Sequence, residues 1–266
     1  MAAMKKLAVL GHPVAHSRSP AMQNAALAEL GLAPEWAYEA IDVAPDGFER
    51  LVRELPERGF LGANVTVPHK GAALAVAEAL SETAREIGAA NTLSFDGAEI
   101  RADNTDADGL LAALPASPAG GRALVLGAGG AARAVVWALL REGAAVEVWN
   151  RTALRSQNLC AELGGSPVGD PEPAAYDLIV NSTAVGLRGE DPFEELPLDP
   201  ESFATGQVVV DMVYGRGPTA LLEAATAAGA RTVDGIEVLV RQGALSLQLW
   251  TGREAPLAAM RAAART

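Results

Sequence analysis

A glycine run, Gly127-Ala128-Gly129-Gly130-Ala131-Ala132, stands between a short apolar stretch (123–126) and an apolar-periodic one reaching 140. Strand, glycine turn and helix in that order make a dinucleotide fingerprint of the G-x-G-x-x-G/A type. Gly127 permits the tight turn, Gly129 lets backbone approach a pyrophosphate, and Ala132 allows close helix–strand packing. The helix N-terminus adds free N–H groups and a partial positive charge for the phosphates. The following apolar stretch, 145–149, runs into Asn150-Arg151-Thr152, with Arg155 just beyond. An acid at that strand end would bind the ribose hydroxyls and select NAD; Asn150 stands there instead, and two guanidiniums suit a 2′-phosphate. The pattern favours NADP. Glu147, the competing acid, sits mid-strand, away from the mouth where ligands bind, and reads as a sheet-face residue. No Gly-Lys-[Ser/Thr] follows the glycines, which argues against phosphoryl transfer.

The first half carries polar clusters at strand ends. Ser17 and Ser19 in His16-Ser17-Arg18-Ser19-Pro20 place two hydroxyls by a helix start, with Ser19 the expected N-cap. In Asn64-Val-Thr66-Val-Pro-His-Lys70, alternation puts Asn64 and Thr66 on one face and Val65 and Val67 on the other. Asn91-Thr92 and Asn104-Thr-Asp106-Ala-Asp-Gly109 follow. The last block resembles the start of a calcium loop, but its twelfth position is Pro115, where a bidentate Glu is needed. Asp103 or Thr105 is the expected cap of the helix after it. Of 21 basic residues only three are Lys, and two of these are Lys5 and Lys6. Lys70 is therefore conspicuous, because lysine exchanges a proton where arginine stays charged. His12 and His16 are separated by Pro13 and do not form a helical metal pair, and Cys160, in a helical stretch with Leu159 and Leu163, reads as a structural thiol.

These residues need a frame. Expected strands at 7–10, 35–43 and 62–67 alternate with helices at 19–30, 46–57 and up to 87, and a hairpin turns at Asp96-Gly97. A Pro/Gly-rich connector at 115–121 marks a boundary. Beyond it, strands at 123–126, 145–149, 177–180, 208–213 and 231–233 alternate with helical patterns, as in a doubly wound unit. Helices at 236–250 and 256–264 close the chain, and periodicity alone does not assign them to either half.

Composition excludes other classes. Half of the 266 residues are apolar and a fifth are charged, enough for at least one sizeable core. The net charge of −12 with no basic block argues against nucleic-acid binding. One cysteine excludes a disulfide framework. The short apolar run at 7–10 is too brief for a signal peptide, and no stretch approaches the ~20 apolar residues of a membrane span. A cytoplasmic protein, monomer or homodimer, with no membrane or metal partner, is expected.

Taken together the blocks resemble the shikimate dehydrogenase family. They are Ser17-Arg-Ser19-Pro20, Asn64 to Lys70, Ala89-Ala-Asn91-Thr92, Asn104 to Gly109, Gly127 to Ala131, Asn150-Arg151-Thr152, Asn181-Ser182-Thr183, Asp211-Met212-Val-Tyr214 and Asp234-Gly235 with Gln242-Gly243. The resemblance implies a two-domain α/β fold. Residues 1–104, joined by 237–266, would hold the substrate on a mostly parallel sheet, and 105–236 would form a Rossmann-type NADP domain. It implies reversible, NADPH-dependent reduction of 3-dehydroshikimate to shikimate. Lys70 and Asp106 match the catalytic pair. Ser17, Ser19, Thr66, Asn91, Tyr214 and Gln242 match substrate-binding positions, with Asn64 beside them and Asp106 shared. Gly127, Ala128, Gly129, Gly130, Ala131, Asn150, Arg151, Thr152 and Arg155 match the cofactor loops; Met212, Gly235, Asn181, Ser182 and Thr183 fall near the nicotinamide. An NAD- or quinate-using relative and a non-catalytic shikimate sensor are the rival readings. His69 carries no functional expectation.

Overall fold

The computed structural model describes residues 4–215 and 217–266. The chain divides into two compact units, 1–109 with 239–266, and 110–238.

The first unit contains β1 (Lys5–Gly11), α1 (Ser19–Glu29), β2 (Trp36–Asp42), α2 (Phe48–Glu54), β3 (Phe60–Val65), α3 (Lys70–Val76), β4 (Ala79–Leu80), α4 (Glu82–Ile87), β5 (Thr92–Asp96) and β6 (Glu99–Asp103), and α5 (Asp106–Ala113) starts there. Its sheet runs β2-β1-β3-β5-β6-β4. β1 pairs parallel with β2 and β3, β4 pairs parallel with β6, and β5 pairs antiparallel with both β3 and β6. The β5–β6 hairpin turns between Asp96 and Glu99, at the Asp-Gly expected for it. Ala8, Leu10, Ala63, Val65 and Leu93 of this sheet pack with Phe48, Val52 and Phe60 into one core.

The second unit contains β7 (Arg122–Leu126), α6 (Gly130–Arg141), β8 (Ala145–Trp149), α7 (Ala153–Leu163), β9 (Ser166–Pro167), β10 (Leu178–Asn181), α8 (Pro192–Glu195), β11 (Val208–Asp211), α9 (Ala220–Ala227) and β12 (Arg231–Asp234). Its sheet, β12-β11-β10-β7-β8-β9, is parallel throughout. Strand alternation builds a core on each face. Ala123, Val125, Leu178, Val180, Val208 and Val210 face the α6/α7 layer. Leu124, Leu126, Ile179 and Val209 face the layer of Leu221, Leu222 and Ala225. This is why these strands read as unbroken apolar runs.

α10 (Gly235–Thr251) and α11 (Leu257–Ala264) follow, and the chain from Leu239 onward belongs to the first unit, where α11 packs on α1. Among the described residues no helix is long and apolar enough to cross a membrane.

Several expected bounds move. The helix expected over 46–57 is a 3₁₀ turn (Pro45–Gly47), α2, and a second 3₁₀ turn (Pro56–Arg58), because Pro56 has no N–H with which to continue the ladder. The strand expected over 62–67 ends at Val65, and Val67 is 62% exposed rather than packed on the apolar face. The units part at 109/110 and 238/239 rather than 104/105 and 236/237. Asp106 is bonded to Lys70 and Asn91, which ties the first turn of α5 to the first unit.

Candidate functional site

The carboxyl ends of β3 and β6, the start of β5 and the first turns of α3 and α5 converge within the first unit. Lys70 opens α3 and Asp106 opens α5. The Lys70 ammonium donates to Asp106 Oδ2, both side chains being nearly buried (12% and 7% exposed). Asp106 Oδ1 accepts from Asn91 Nδ2 at 2.9 Å. Both carboxylate oxygens thus have donors.

Donor counting fixes every amide around this pair. The backbone N–H of Thr105, which can only donate, reaches Asn91 Oδ1 at 2.8 Å. Asn91 Nδ2 therefore points the other way, to Asp106 and to Gln242 Oε1 at 3.0 Å. Gln242 accepts there and donates through Nε2 to Leu239 O at 2.8 Å, which leaves it one N–H to offer. Tyr38 Oη donates to Asn64 Oδ1 at 2.8 Å, and Asn64 Nδ2 shares its two hydrogens among Asn91 O, Thr92 Oγ1 and Ser246 Oγ. Ser246, fully buried, also lies 2.8 Å from Thr92 Oγ1 and 3.1 Å from Thr105 Oγ1. The lattice orients Asn91 and Gln242 before any ligand arrives.

Close backbone approach makes this possible. A Cβ on Gly109 would lie 2.6 Å from Gln242 Cβ and 2.7 Å from its backbone N, so only glycine lets α5 and α10 meet here. Gln23 Nε2 on α1 donates to Gly243 O at 2.9 Å, tying the helix of Ser19 to that of Gln242.

Ser19 is not the N-cap of α1: Arg18 holds that position, and its side chain makes no capping bond. The Ser17 hydroxyl accepts from Ser19 N–H at 3.3 Å, and Ser19 is buried. Thr105 precedes α5 and its carbonyl accepts the Gly109 N–H at 3.0 Å, but its hydroxyl does not serve the helix start. Asn104 Oδ1 takes the Asp106 N–H at 3.0 Å, which leaves the Thr105 hydroxyl for the lattice. Asn64 is buried, with its amide saturated by Tyr38, Asn91, Thr92 and Ser246. The sequence assigns no site role to Tyr38, Thr92, Thr105 or Ser246. Ser246 had a signal, lying one helical turn after Gln242 on the same face.

His69, beside Lys70, is also structural. It is 2% exposed, its Nε2 lies 2.8 Å from Val43 O, and its ring stacks on Phe48 at 4.5 Å. Burial holds the imidazole below its ordinary value of 6.5. The unfolded chain takes up that proton as pH falls through about 6.5, while the folded chain resists, so stability is full above this value and is lost below it. Thermal midpoints measured from pH 8 to 5 are expected to fall, and His69→Phe, which keeps the stack, is expected to flatten the decline.

In the second unit, the glycine turn presents backbone. Gly127 has φ +111°, and a Cβ there would lie 2.9 Å from Ser182 Oγ and 3.1 Å from Thr183 Cγ2. Gly129 is the N-cap of α6, and no side chain caps that helix, so its first-turn N–H groups are open to an anion. Gly130 and Ala131 start α6, and Ala132 is fully buried. Asn150 Nδ2 donates to Thr152 O at 2.9 Å and shapes the turn that carries Arg151. Glu147 accepts from the Tyr176 hydroxyl, mid-strand, as a sheet-face residue would. Burial and this bond push the Tyr176 phenol well above its ordinary range. Cys160 is buried, which pushes its thiol up.

The loops after β10 and β11 are joined. Asn181 Nδ2 donates to Asp211 Oδ1 at 2.9 Å, and Asn181 Oδ1 accepts from the Thr183 hydroxyl at 2.7 Å. Asp211 also accepts from Val213 N–H and the Thr219 hydroxyl; burial pushes its carboxyl up, against these bonds. A Cβ on Gly235 would lie 2.5 Å from Met212 O, so the start of α10 is pressed on this loop. Tyr214 follows two residues after Met212, partly buried.

The chain matches known proteins over both of its ends. The shikimate dehydrogenase substrate binding domain matches residues 9–93, and the shikimate 5′-dehydrogenase C-terminal domain matches 235–265. Shikimate dehydrogenase (NADP⁺) of Anaeromyxobacter dehalogenans strain 2CP-1 is 45% identical over 265 residues, 95% of this chain and 92% of the relative. The chain belongs to the shikimate dehydrogenase family. Among solved members, shikimate 5-dehydrogenase of Thermus thermophilus in complex with NADP(H) and shikimate is 44% identical. It superposes with a TM-score of 0.90, covering 98% of this chain and 99% of the other. Shikimate dehydrogenase of Aquifex aeolicus gives 0.92 at 35% identity, covering 99% and 98%. Both shikimate dehydrogenase structures cover the two units described above.

Proposed function

We propose that the chain catalyses the reversible NADPH-dependent reduction of 3-dehydroshikimate to shikimate, a step in aromatic amino-acid biosynthesis. The observation that carries the mechanism is the nearly buried Lys70–Asp106 pair, held by an amide whose direction is fixed.

When bound, NADPH supplies the hydride. A ketone that gains hydride becomes an alkoxide and must take a proton from a donor within hydrogen-bond reach. Lys70 is that donor, and it takes the proton back in the oxidative direction. Asp106 holds the Lys70 ammonium in place and accepts from a ring hydroxyl. Gln242 turns its remaining N–H toward the site, while Asn91 Nδ2 holds Asp106 and Gln242 in place beside it and shares an N–H with a substrate hydroxyl. Ser17, Ser19 and Thr66 supply hydroxyls for the carboxylate end, and Tyr214 adds a further one. A polyol with a misplaced hydroxyl leaves buried donors unpaired, which makes discrimination among polar rings strong.

The cofactor residues fit the group. The α6 N-terminus and Gly127 to Ala131 would receive the pyrophosphate. Asn150, Arg151, Thr152 and Arg155 would hold the 2′-phosphate. Met212 and Gly235, with Asn181, Ser182 and Thr183 alongside, would hold the nicotinamide end, and Ser182 and Thr183 also lie against Gly127.

Arg151→Ala tests the cofactor assignment. Losing a charge-assisted bond of about 1.5–3 kcal/mol is expected to raise KM for NADP by about 10–100-fold. KM for NAD is expected to hold steady. Equal changes for both cofactors would remove Arg151 from the phosphate site.

A further inference from the structure

Of the two arginines assigned to the 2′-phosphate, one already has an anion. Arg151 Nη1 lies 3.3 Å from Glu195 Oε2. Glu195 is the last residue of α8 and 44 positions away in sequence, so the pair is made by the fold and not by local helix spacing. Arg155 makes no ion pair among the described residues. The Arg151 side chain is 82% exposed and that of Glu195 is 43% exposed, so both remain within reach of a solute. α8 is acidic as a whole, with Asp191 at its N-cap and Glu194 and Glu195 in its single turn.

We propose that Glu195 is a specificity-determining residue: its carboxylate occupies Arg151 until a 2′-phosphate displaces it. The proposal rests on the assignment of Arg151 to that phosphate. A carboxylate and a phosphate monoester use the same guanidinium N–H groups, and one guanidinium edge serves one of them at a time. The phosphate wins because it carries close to two negative charges against one. It wins by less than it would at a vacant arginine, because Glu195 must give up its partner and then stand beside a dianion. A dinucleotide without the 2′-phosphate displaces nothing and is indifferent to Glu195. The residue thus lowers affinity for the phosphorylated cofactor and narrows the preference that Arg151 creates. In a chain of net charge −12, such a carboxylate also keeps unrelated anions off the guanidinium.

The test is a double-mutant cycle on the full chain. Equilibrium Kd values for NADP and for NAD are measured at low ionic strength, where exposed charge pairs are least screened. The four proteins are wild type, Glu195→Gln, Arg151→Ala and the double variant. Glu195→Gln keeps the shape and removes the charge, and unchanged thermal midpoints verify the fold. Expected is a Kd for NADP about two- to fivefold lower in Glu195→Gln, the range of an exposed ion pair. Kd for NAD is expected to be unchanged, and the gain is expected to vanish in the Arg151→Ala background. An unchanged or higher Kd for NADP overturns the proposal, since Glu195 would then be neutral or would be presenting Arg151 to the phosphate. An equal gain for NAD, or a gain that survives Arg151→Ala, overturns it in favour of the general field of α8. If Arg151→Ala alone leaves NADP binding intact, the assignment of Arg151 falls, and this outcome is separate from the others.

Discussion

Lys70→Ala is expected to slow NADP reduction by shikimate by about 10²–10⁴-fold, the usual contribution of a positioned acid or base. The loss is expected in kcat, because the substrate contacts proposed for the serines, Thr66 and the two amides are left in place. Removing the ammonium also leaves Asp106 nearly buried with Asn91 as its remaining side-chain donor, and a broken buried pair costs about 3–5 kcal/mol. Lys70→Arg separates the two effects. It keeps a cation beside Asp106 but does not release its proton near neutral pH. Lys70→Arg is therefore expected to fold with a near-native thermal midpoint and to turn over as slowly as Lys70→Ala. Substantial activity in Lys70→Arg would assign the proton to another group.

Asn91→Asp is expected to be nearly as damaging, although the two side chains have the same shape. The oxygen that receives the Thr105 N–H is retained. The Nδ2 that donates to Asp106 at 2.9 Å and Gln242 at 3.0 Å becomes an acceptor. Two carboxylates then face each other across a buried contact, and Gln242 Oε1 keeps only the more distant Thr105 hydroxyl, at 3.5 Å. Leaving buried acceptors unpaired costs about 1–3 kcal/mol, and more where a charge is involved. Urea midpoints at pH 7 are expected to fall by at least that equivalent. Part of the loss is expected to return at lower pH, where one carboxylate holds a proton. A variant as stable as wild type at pH 7 would mean that the Asn91 amide points the other way.

Much of this was legible in the sequence, for physical reasons. Gly127 to Ala132 announced its turn because a tight turn and a close phosphate approach restrict residue type. Strands 123–126 and 145–149 announced themselves because a parallel sheet buried on both faces demands apolar runs. Lys70 stood out because the chain otherwise uses arginine. The buried lattice was not legible. Tyr38, Thr92 and Ser246 are ordinary residues for a strand or helix, and their partners lie up to 182 positions away. Alternation shows a polar face at Asn64 but not what lies against it, and here Ser246 does. Ser19 looked like a cap because Ser-Pro commonly opens helices, whereas this helix starts one residue earlier. The Arg151–Glu195 pair joins segments with no shared periodicity, so only the fold could reveal it.

The most direct measurement follows the hydride itself. The purified chain is given 3-dehydroshikimate and NADPH deuterated at nicotinamide C4, and the product is weighed by mass spectrometry. Direct transfer predicts shikimate one mass unit heavier than that made with unlabelled cofactor, formed rapidly by wild type and about 10²–10⁴-fold more slowly by Lys70→Ala. No shikimate at all, with binding of 3-dehydroshikimate intact, would contradict the assigned reaction and leave a ligand-binding protein in its place.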